Sequence, residues 1–495
     1  MAYQYDTIIL GAGSGGISAF VALSSIGRKV LLVERDKMGG ECTNTGCIPS
    51  KSLIHQAKRF REAQGLVNHS AELDMLRKKS FDTVREKIKQ IRDEEEPELL
   101  MQKYKNEVIR GSGSFIDQNS IEVRGKDGTK MVTAQAIIIA TGSSARTVPI
   151  AGLKTDRLLT NENIFELKEI PKNLLILGGG PIGCELGQAL HHLGTKVTIV
   201  NNREHIMPRD EEECSKLSEE VFTEQGIRIF NNATIHRIEK DHAVIEITEN
   251  SKLKTRKVPF EYLLQGVGRV PNIDGLNLEA VGIKHNDRQI YVDRHYRTNL
   301  KHVYAIGDVS SSAKFTHTAE DQARHIMKRM IFPWYPAETK KPIPHVTYLD
   351  QEVAGVGDTY AEAVKKYGKN RVVKVTADFS SSDRSKTDEV QTGILVANCA
   401  PLTGKIYGAH IMGQSSGEMI GIFTLAIQEG ISMFKLNKMI IPYPTLSQSI
   451  KFLTDAYLSE SSANGKKYLT IFIGKWLMRV LILITASLTI WYLLK

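Results

Sequence analysis

Two thiols, Cys42 and Cys47, stand in the run Gly39-Gly40-Glu41-Cys42-Thr43-Asn44-Thr45-Gly46-Cys47-Ile48-Pro49-Ser50-Lys51. Glycines on both sides allow a tight loop, and Pro49 suits the first turn of a helix. Cysteines this close can form a disulfide that opens and closes with two electrons. Taken alone, the spacing fits a static bridge or two idle thiols equally well. What shifts the reading is the upstream run Gly11-Ala12-Gly13-Ser14-Gly15-Gly16, which has the form of a dinucleotide cradle.

Such a cradle needs a strand before it, a helix after it and an acid at the end of the next strand. Tyr5–Leu10 is an apolar run, an Ala/Leu-rich stretch follows, and Lys29–Val33 ends at Glu34. Gly11 permits the tight turn, Gly13 lets backbone approach a pyrophosphate, and Gly16 lets helix pack on strand. Glu34 is placed to bond a ribose hydroxyl. The order recurs in Asn173–Leu177, Gly178-Gly179-Gly180-Pro181-Ile182-Gly183, a helix through His192, and the strand Lys196–Val200. Two cradles imply two dinucleotides.

These residues together resemble the class I, FAD-dependent pyridine nucleotide-disulfide oxidoreductases. Further segments carry the likeness: Ala140-Thr141-Gly142, Gln265-Gly266-Val267-Gly268-Arg269-Val270-Pro271-Asn272, Tyr304-Ala305-Ile306-Gly307-Asp308-Val309, and His345–Gly357. The resemblance spans roughly residues 5–458. It implies an α/β protein with two Rossmann-like dinucleotide-binding domains and an α+β dimerisation domain; beyond these, the apolar tail is expected to form a C-terminal helix. Its expected boundaries are 1–145 for the first FAD segment, 146–270 for the NAD(P) domain, 271–343 for the FAD return segment, 344–458 for the interface domain and 459–495 for the tail.

By the same resemblance Gly11, Gly13, Gly16, Glu34, Lys51, Thr141, Gly142 and Asp308 hold FAD. Gly178, Gly180, Gly183, Asn202, Arg203 and Gly268 hold the nicotinamide cofactor. Cys47 is then the sulfur facing the flavin and Cys42 the outer sulfur that meets substrate. Lys51 lies near the flavin and pairs with Glu185. A helix starting near Cys47 would favour its thiolate. Glu41, next to Cys42, is expected to raise the outer thiol's pKa. After the second strand the usual acid is missing, and Asn201-Asn202-Arg203 stands there. A carboxylate would repel a 2′-phosphate, whereas Asn and Arg accept one, so NADPH is favoured over NADH.

One segment departs from the thiol-handling members, which carry His-Pro-Thr with a glutamate four residues after the proline. Here the chain reads Tyr443-Pro444-Thr445-Leu446-Ser447-Gln448. A phenol is a poor base at neutral pH beside an imidazole. Tyrosine at this place resembles mercuric reductase and its membrane-associated relatives. The expected activity is therefore mercuric reductase-like, with a small-molecule, quinone or metal-ion acceptor. Dihydrolipoamide dehydrogenase-like reduction and membrane-tethered quinone reduction are the alternatives. No cysteine follows Cys399, so a C-terminal thiol pair for metal delivery is not expected.

Composition bounds the rest. The 495 residues carry a net charge of +9 and 24% charged residues, ordinary for a globular chain. No basic run interleaved with aromatics points to nucleic acid. The five cysteines do not suggest a secreted framework; Cys184, Cys214 and Cys399 are expected as buried thiols, and no metal-ligand set is read. The first strand begins almost at the N-terminus, so the body is expected to stay in a reducing cytosol. At the other end Val480–Leu494 is uncharged and apolar all round, preceded by Lys466, Lys467, Lys475 and Arg479. Although short for a spanning helix, it is expected to anchor a homodimer to the cytoplasmic face of a membrane.

Overall fold

The computed structural model describes residues 3–66, 71–249, 252–337, 341–390 and 392–465. The chain forms two compact units, one of residues 1–206 with 222–341, the other of residues 207–221 with 342 onward.

In the first unit, Tyr5–Leu10 lies between Val30–Glu34 and Gly128–Ile139, parallel to both, with Ile8 opposite Leu31 and Ile137. Glu107–Phe115 extends one edge, and Val303–Ala305 returns to pair in parallel with Gly128–Ile139 at the other. Continuous apolar strands are what a sheet covered on both faces requires. Ile8, Leu31 and Ile137 feed one buried cluster. Ile9, Leu32 and Ile138 feed the opposite one, where Phe20 and Leu23 of the helix Ser14–Ser25 meet Ile326 of the helix Thr316–Ile331.

A second parallel sheet orders Arg228–Phe230, Lys196–Val200, Asn173–Leu177, Tyr262–Gln265 and Leu158–Leu159. An antiparallel ribbon of Ala233–Glu239, His242–Glu249 and Lys252–Pro259 contributes Ile238, Ala243, Ile245 and Val258 to a core with Leu175 and Leu263. Ser143–Ala145 and Arg269–Pro271 run antiparallel as the two passages of the chain between the sheets. The helix Cys47–Leu66 packs on the helix Pro181–His192, so residues more than a hundred positions apart meet.

The second unit is built on a five-stranded antiparallel sheet ordered His345–Thr347, Glu352–Gly357, Ile406–Gly413, Ile394–Cys399 and Val373–Asp378. Alternation sorts its two faces. Ala354, Val356, Leu395, Ala397, Ala409 and Ile411 pack with Met419, Ile420 and Phe423 of the helix Ser416–Gln428. The polar residues of the same strands point the other way. A helix runs from 449 through 465, past the expected boundary at 458; Tyr457 is fully buried and Ser461 Oγ donates to the Pro401 carbonyl at 2.8 Å. Among the described residues no helix is long and apolar enough to cross a membrane. The expected C-terminal apolar helix, Val480–Leu494, lies outside the described residues.

Candidate active site

The first cradle has the sterics its glycines suggest. Gly11 has φ +103°, and a Cβ there would stand 2.5 Å from the Ala140 carbonyl oxygen. A Cβ on Gly16 would stand 1.8 Å from the Gly11 carbonyl oxygen, so only glycine lets the helix approach the strand so closely. Gly13 caps the helix Ser14–Ser25 with no side-chain acceptor, leaving the leading amides for an anion. Glu34 is buried, and its two oxygens accept the Ala12 amide at 2.6 Å and the Asp36 amide at 2.8 Å. A fixed carboxylate at the end of the second strand suits a ribose hydroxyl.

The passage strands bring the other end of the cradle together. Ser143 Oγ donates to Asp308 at 2.5 Å, and Arg269 Nε lies 3.5 Å from the same oxygen. Thr141 Oγ1 donates to the Asn272 carbonyl at 2.7 Å, and Gly142 turns with φ +69°. Thr141 therefore ties the two passages together. Lys314 Nζ is buried with no hydrogen-bond partner among the described residues, and burial draws its pKa down. An orphaned buried cation beside Asp308 fits a cofactor rich in acceptors. The donors and acceptors present thus fit FAD.

The helix Cys47–Leu66 begins at Cys47, and Cys42 sits in the short helix Gly40–Asn44. Both are free thiols, Cys47 the more exposed. Gly40 allows the loop to lie against the cradle, since a Cβ there would meet the Gly13 Cα at 2.7 Å. A hydrogen bond from Cys42 pulls the Cys47 pKa down to about 6 against the cost of burial, with help from Thr316 and from the Lys51 charge. Thr316 Oγ1 lies 3.6 Å from Cys47 Sγ. The same bond and burial push the Cys42 thiol far up. The opposite shifts favour a reduced pair with its proton on Cys42 and its negative charge on Cys47. Lys51 Nζ bonds the buried Glu185 at 2.8 Å, joining the two packed helices.

Glu41 acts differently from its expected role. Its carboxylate turns to Asn161 Nδ2 at 2.9 Å and to the Arg269 guanidinium. Burial raises its own pKa to about 7 while Arg269 opposes the shift. The rise at Cys42 comes from Cys47 and burial instead. Arg269, Lys314 and Thr316 were not singled out from sequence. Their partners are distant along the chain, 228 residues for Arg269 and Glu41, and no local pattern announces them.

The second cradle repeats the first. Gly178 has φ +113°, and a Cβ on Gly183 would stand 2.2 Å from the Gly178 carbonyl oxygen. Gly180 caps the helix Pro181–His192 with open space around it. Asn201, at the position of the missing acid, is buried, and its Nδ2 donates to the carbonyls of Arg203 at 3.2 Å and His205 at 2.9 Å. It shapes the loop, and Asn202 and Arg203 are left exposed. Gly268 has φ +113° and nothing within 4 Å of a Cβ. Tyr443 belongs to the second unit, 67% exposed, its hydroxyl donating to Asp383 at 3.2 Å. Cys184, Cys214 and Cys399 are buried thiols.

Comparison with known proteins agrees with this geometry. Residues 5–323 match the pyridine nucleotide-disulphide oxidoreductase family, and residues 343–453 match its dimerisation domain. Mercuric reductase of Bacillus cereus is 31% identical over 457 residues, covering 91% of this chain and 71% of that protein. A dihydrolipoyl dehydrogenase of Bacillus subtilis (strain 168) is 32% identical over 454 residues, covering 90% and 94%. Among solved structures, the Cu(II) complex of the HOCl-induced flavoprotein disulfide reductase RclA from Escherichia coli superposes with a TM-score of 0.81 at 26% identity, covering 92% of this chain and 99% of that one.

Proposed function

The chain belongs to the FAD-dependent pyridine nucleotide-disulphide oxidoreductases, and from that premise we propose that it passes electrons from NADPH to the Cys42–Cys47 pair and on to a small acceptor, a metal ion or a quinone, rather than to a dithiol. Bound in the first cradle, FAD supplies the two-electron relay between nicotinamide and the thiol pair. The chain's own groups do the rest. Lys51, held by Glu185, keeps a positive charge beside the pair. Cys47 keeps the negative charge, and Cys42 keeps the proton and faces the acceptor. Thiolates are the natural ligands of soft and borderline metal ions.

The observation that carries the choice of acceptor is Tyr443. It stands where dithiol-handling members place histidine, and its hydroxyl donates to Asp383. No imidazole stands at that place to take a proton from an incoming dithiol. Two matched proteins are named for metal ions, mercuric reductase and the RclA–Cu(II) complex. The dihydrolipoyl dehydrogenases match at similar identity, which makes a lipoamide reductase the second reading. The preference for NADPH rests on Asn202 and Arg203. The dimerisation domain supports a homodimer, from which Tyr443 would serve the partner's site. The cytoplasmic side of a membrane, with the tail as tether, is proposed from the sequence of residues 466–495 alone.

The test is a screen of the purified protein with NADPH and NADH against Hg²⁺, Cu²⁺, a short-chain quinone, lipoamide and glutathione disulfide. Positioned general-base catalysis is worth roughly 10²–10⁴-fold, so the best small acceptor is expected to exceed lipoamide by at least about 10²-fold. Lipoamide turnover equal to that of the best small acceptor refutes the reading.

A further inference from the structure

The face of the second unit's sheet opposite its apolar core carries His345, Gly355, His410, Asn398 and Lys374. The segment 207–221, of the same unit, sets three acids against that face. Glu211 bonds Asn398 Nδ2 at 2.5 Å and Lys374 at 3.3 Å, and Glu213 bonds Lys374 at 2.6 Å. These acids have a cation or amide each. Asp210 is different, because it meets two imidazoles. Its Oδ1 lies 2.7 Å from His345 Nε2 and 3.7 Å from His410 Nδ1.

One donor atom from each of the three residues lies within 4.8 Å of the others. Asp210 and His410 are buried, while the His345 side chain is 20% exposed and offers a way in. Neither ring nitrogen of His410 has a partner at hydrogen-bond distance among the described residues, Nδ1 having only the Asp210 carboxylate at 3.7 Å, although the residue is only 1% exposed. A buried imidazole with one long contact and one unbonded nitrogen is costly. Gly355 makes the convergence possible. A Cβ there would stand 2.5 Å from His410 Nδ1 and 2.9 Å from His345 Nε2. Its backbone is ordinary strand, so space is what the site gains from glycine.

We propose that Asp210, His345 and His410 form a binding site for one divalent transition-metal ion of the zinc class, which fastens the segment 207–221 to the interface sheet. Two imidazoles and a carboxylate suit Zn²⁺ and its neighbours, and are a poor set for Mg²⁺ or Ca²⁺. Ions bound at about 2.0–2.2 Å in a tetrahedron hold their donors about 3.3 Å apart. The two separations from Asp210 bracket that spacing, so small rotations of the rings close the site. The ion would take the place of the proton between Asp210 and His345 and replace the long contact of His410 with a direct bond. A fourth position stays open to water. The site is separate from Cys42 and Cys47, which lie in the other unit, and does not depend on the acceptor proposed above.

The test uses the full-length enzyme stripped with a chelator, with Cys42 and Cys47 held as a disulfide so that no exposed thiol competes. Titration with Zn²⁺ is expected to show one ion per chain and a rise in Tm, with no rise on adding Mg²⁺. Co²⁺ as the probe should give the d–d bands of a four-coordinate nitrogen and oxygen site without thiolate charge transfer. His410→Gln and Asp210→Asn should each weaken Zn²⁺ binding by at least about 10-fold and abolish the Tm rise. The proposal is overturned by no Zn²⁺ binding to the wild type, by binding that persists in both variants, or by a thiolate band in the Co²⁺ spectrum. Should a variant not fold, the wild-type stoichiometry and Co²⁺ spectrum still decide.

Discussion

Opposite pKa shifts at Cys47 and Cys42 underlie the proposed division of labour between two chemically identical side chains. The asymmetry comes from the donated Cys42 hydrogen bond, Thr316 and the charge of Lys51, all acting on Cys47. A lowered pKa means the thiolate is present above it and lost below it. In protein reduced with dithiothreitol, alkylation of Cys47 by iodoacetamide should therefore rise with pH through a midpoint near 6 and level off about one unit above it. Lys51→Met removes a favourable charge and should move that midpoint upward. Mass spectrometry of the alkylated peptides assigns each sulfur; a Cys47 midpoint near that of a free thiol, about 8.5, would remove the asymmetry. At this scale the sequence was partly legible. The thiols, Lys51 and Glu185 could be placed because each sits in a recognisable run. Glu41 could not, since its orientation is decided by Arg269 and Asn161, far along the chain. The proposed Asp210–His345 pairing hid for the same reason, across 135 residues.

Two strand–glycine–helix elements form the proposed cofactor cradles, and their glycines differ in what they do. Gly11 and Gly178 have positive φ, whereas Gly16 and Gly183 are needed for space. In Gly16→Ala the added methyl meets the Gly11 carbonyl at 1.8 Å, so helix and strand must part. Overpacking of this kind costs about 1–3 kcal/mol, and the parting opens the cradle itself. The variant should purify with little FAD, measured from released flavin per chain. Gly183→Ala, with its methyl 2.2 Å from the Gly178 carbonyl, should keep its FAD and raise KM for the nicotinamide cofactor by about 10-fold or more, equivalent to about 1.4 kcal/mol of binding. Equal flavin loss in both variants would mean that the cradles do not serve separate cofactors. These elements were legible because strand, glycines, helix and second strand are contiguous. The antiparallel interface sheet was legible only in part: His345–Gly357 reads as one first strand, whereas the chain turns within it and forms two, His345–Thr347 and Glu352–Gly357, and pairings such as Gly355 with His410 join distant segments.

The whole chain divides into two units, and the remaining question at that scale is where the catalytic body stops. The sequence placed the boundary at residue 458, where the motifs run out. The helix continues through 465, and its later turns still bond the unit: Ser461 Oγ donates to the Pro401 carbonyl at 2.8 Å, while Asn464 Nδ2 donates to Glu460 one turn back in the same helix at 3.0 Å. A cut after Ser459 would remove the Ser461 bond and fray the helix above the buried Tyr457. A cut after Gly465 spares both. Truncation after Gly465 is therefore expected to leave FAD content, dimeric mass and diaphorase activity toward a water-soluble dye unchanged. Truncation after Ser459 should lower Tm, the lost hydrogen bond alone being worth about 0.5–1.5 kcal/mol. The same pair of proteins tests the tail. Residues 466–495 combine Lys466, Lys467, Lys475 and Arg479 with the uncharged Val480–Leu494. Salt screens a basic patch but not apolar burial. The full-length chain should therefore sediment with membranes and resist a high-salt wash, while the chain ending at Gly465 stays in the supernatant. Release by salt alone would reduce the tether to surface charge, and full-length protein in the supernatant would end the membrane proposal.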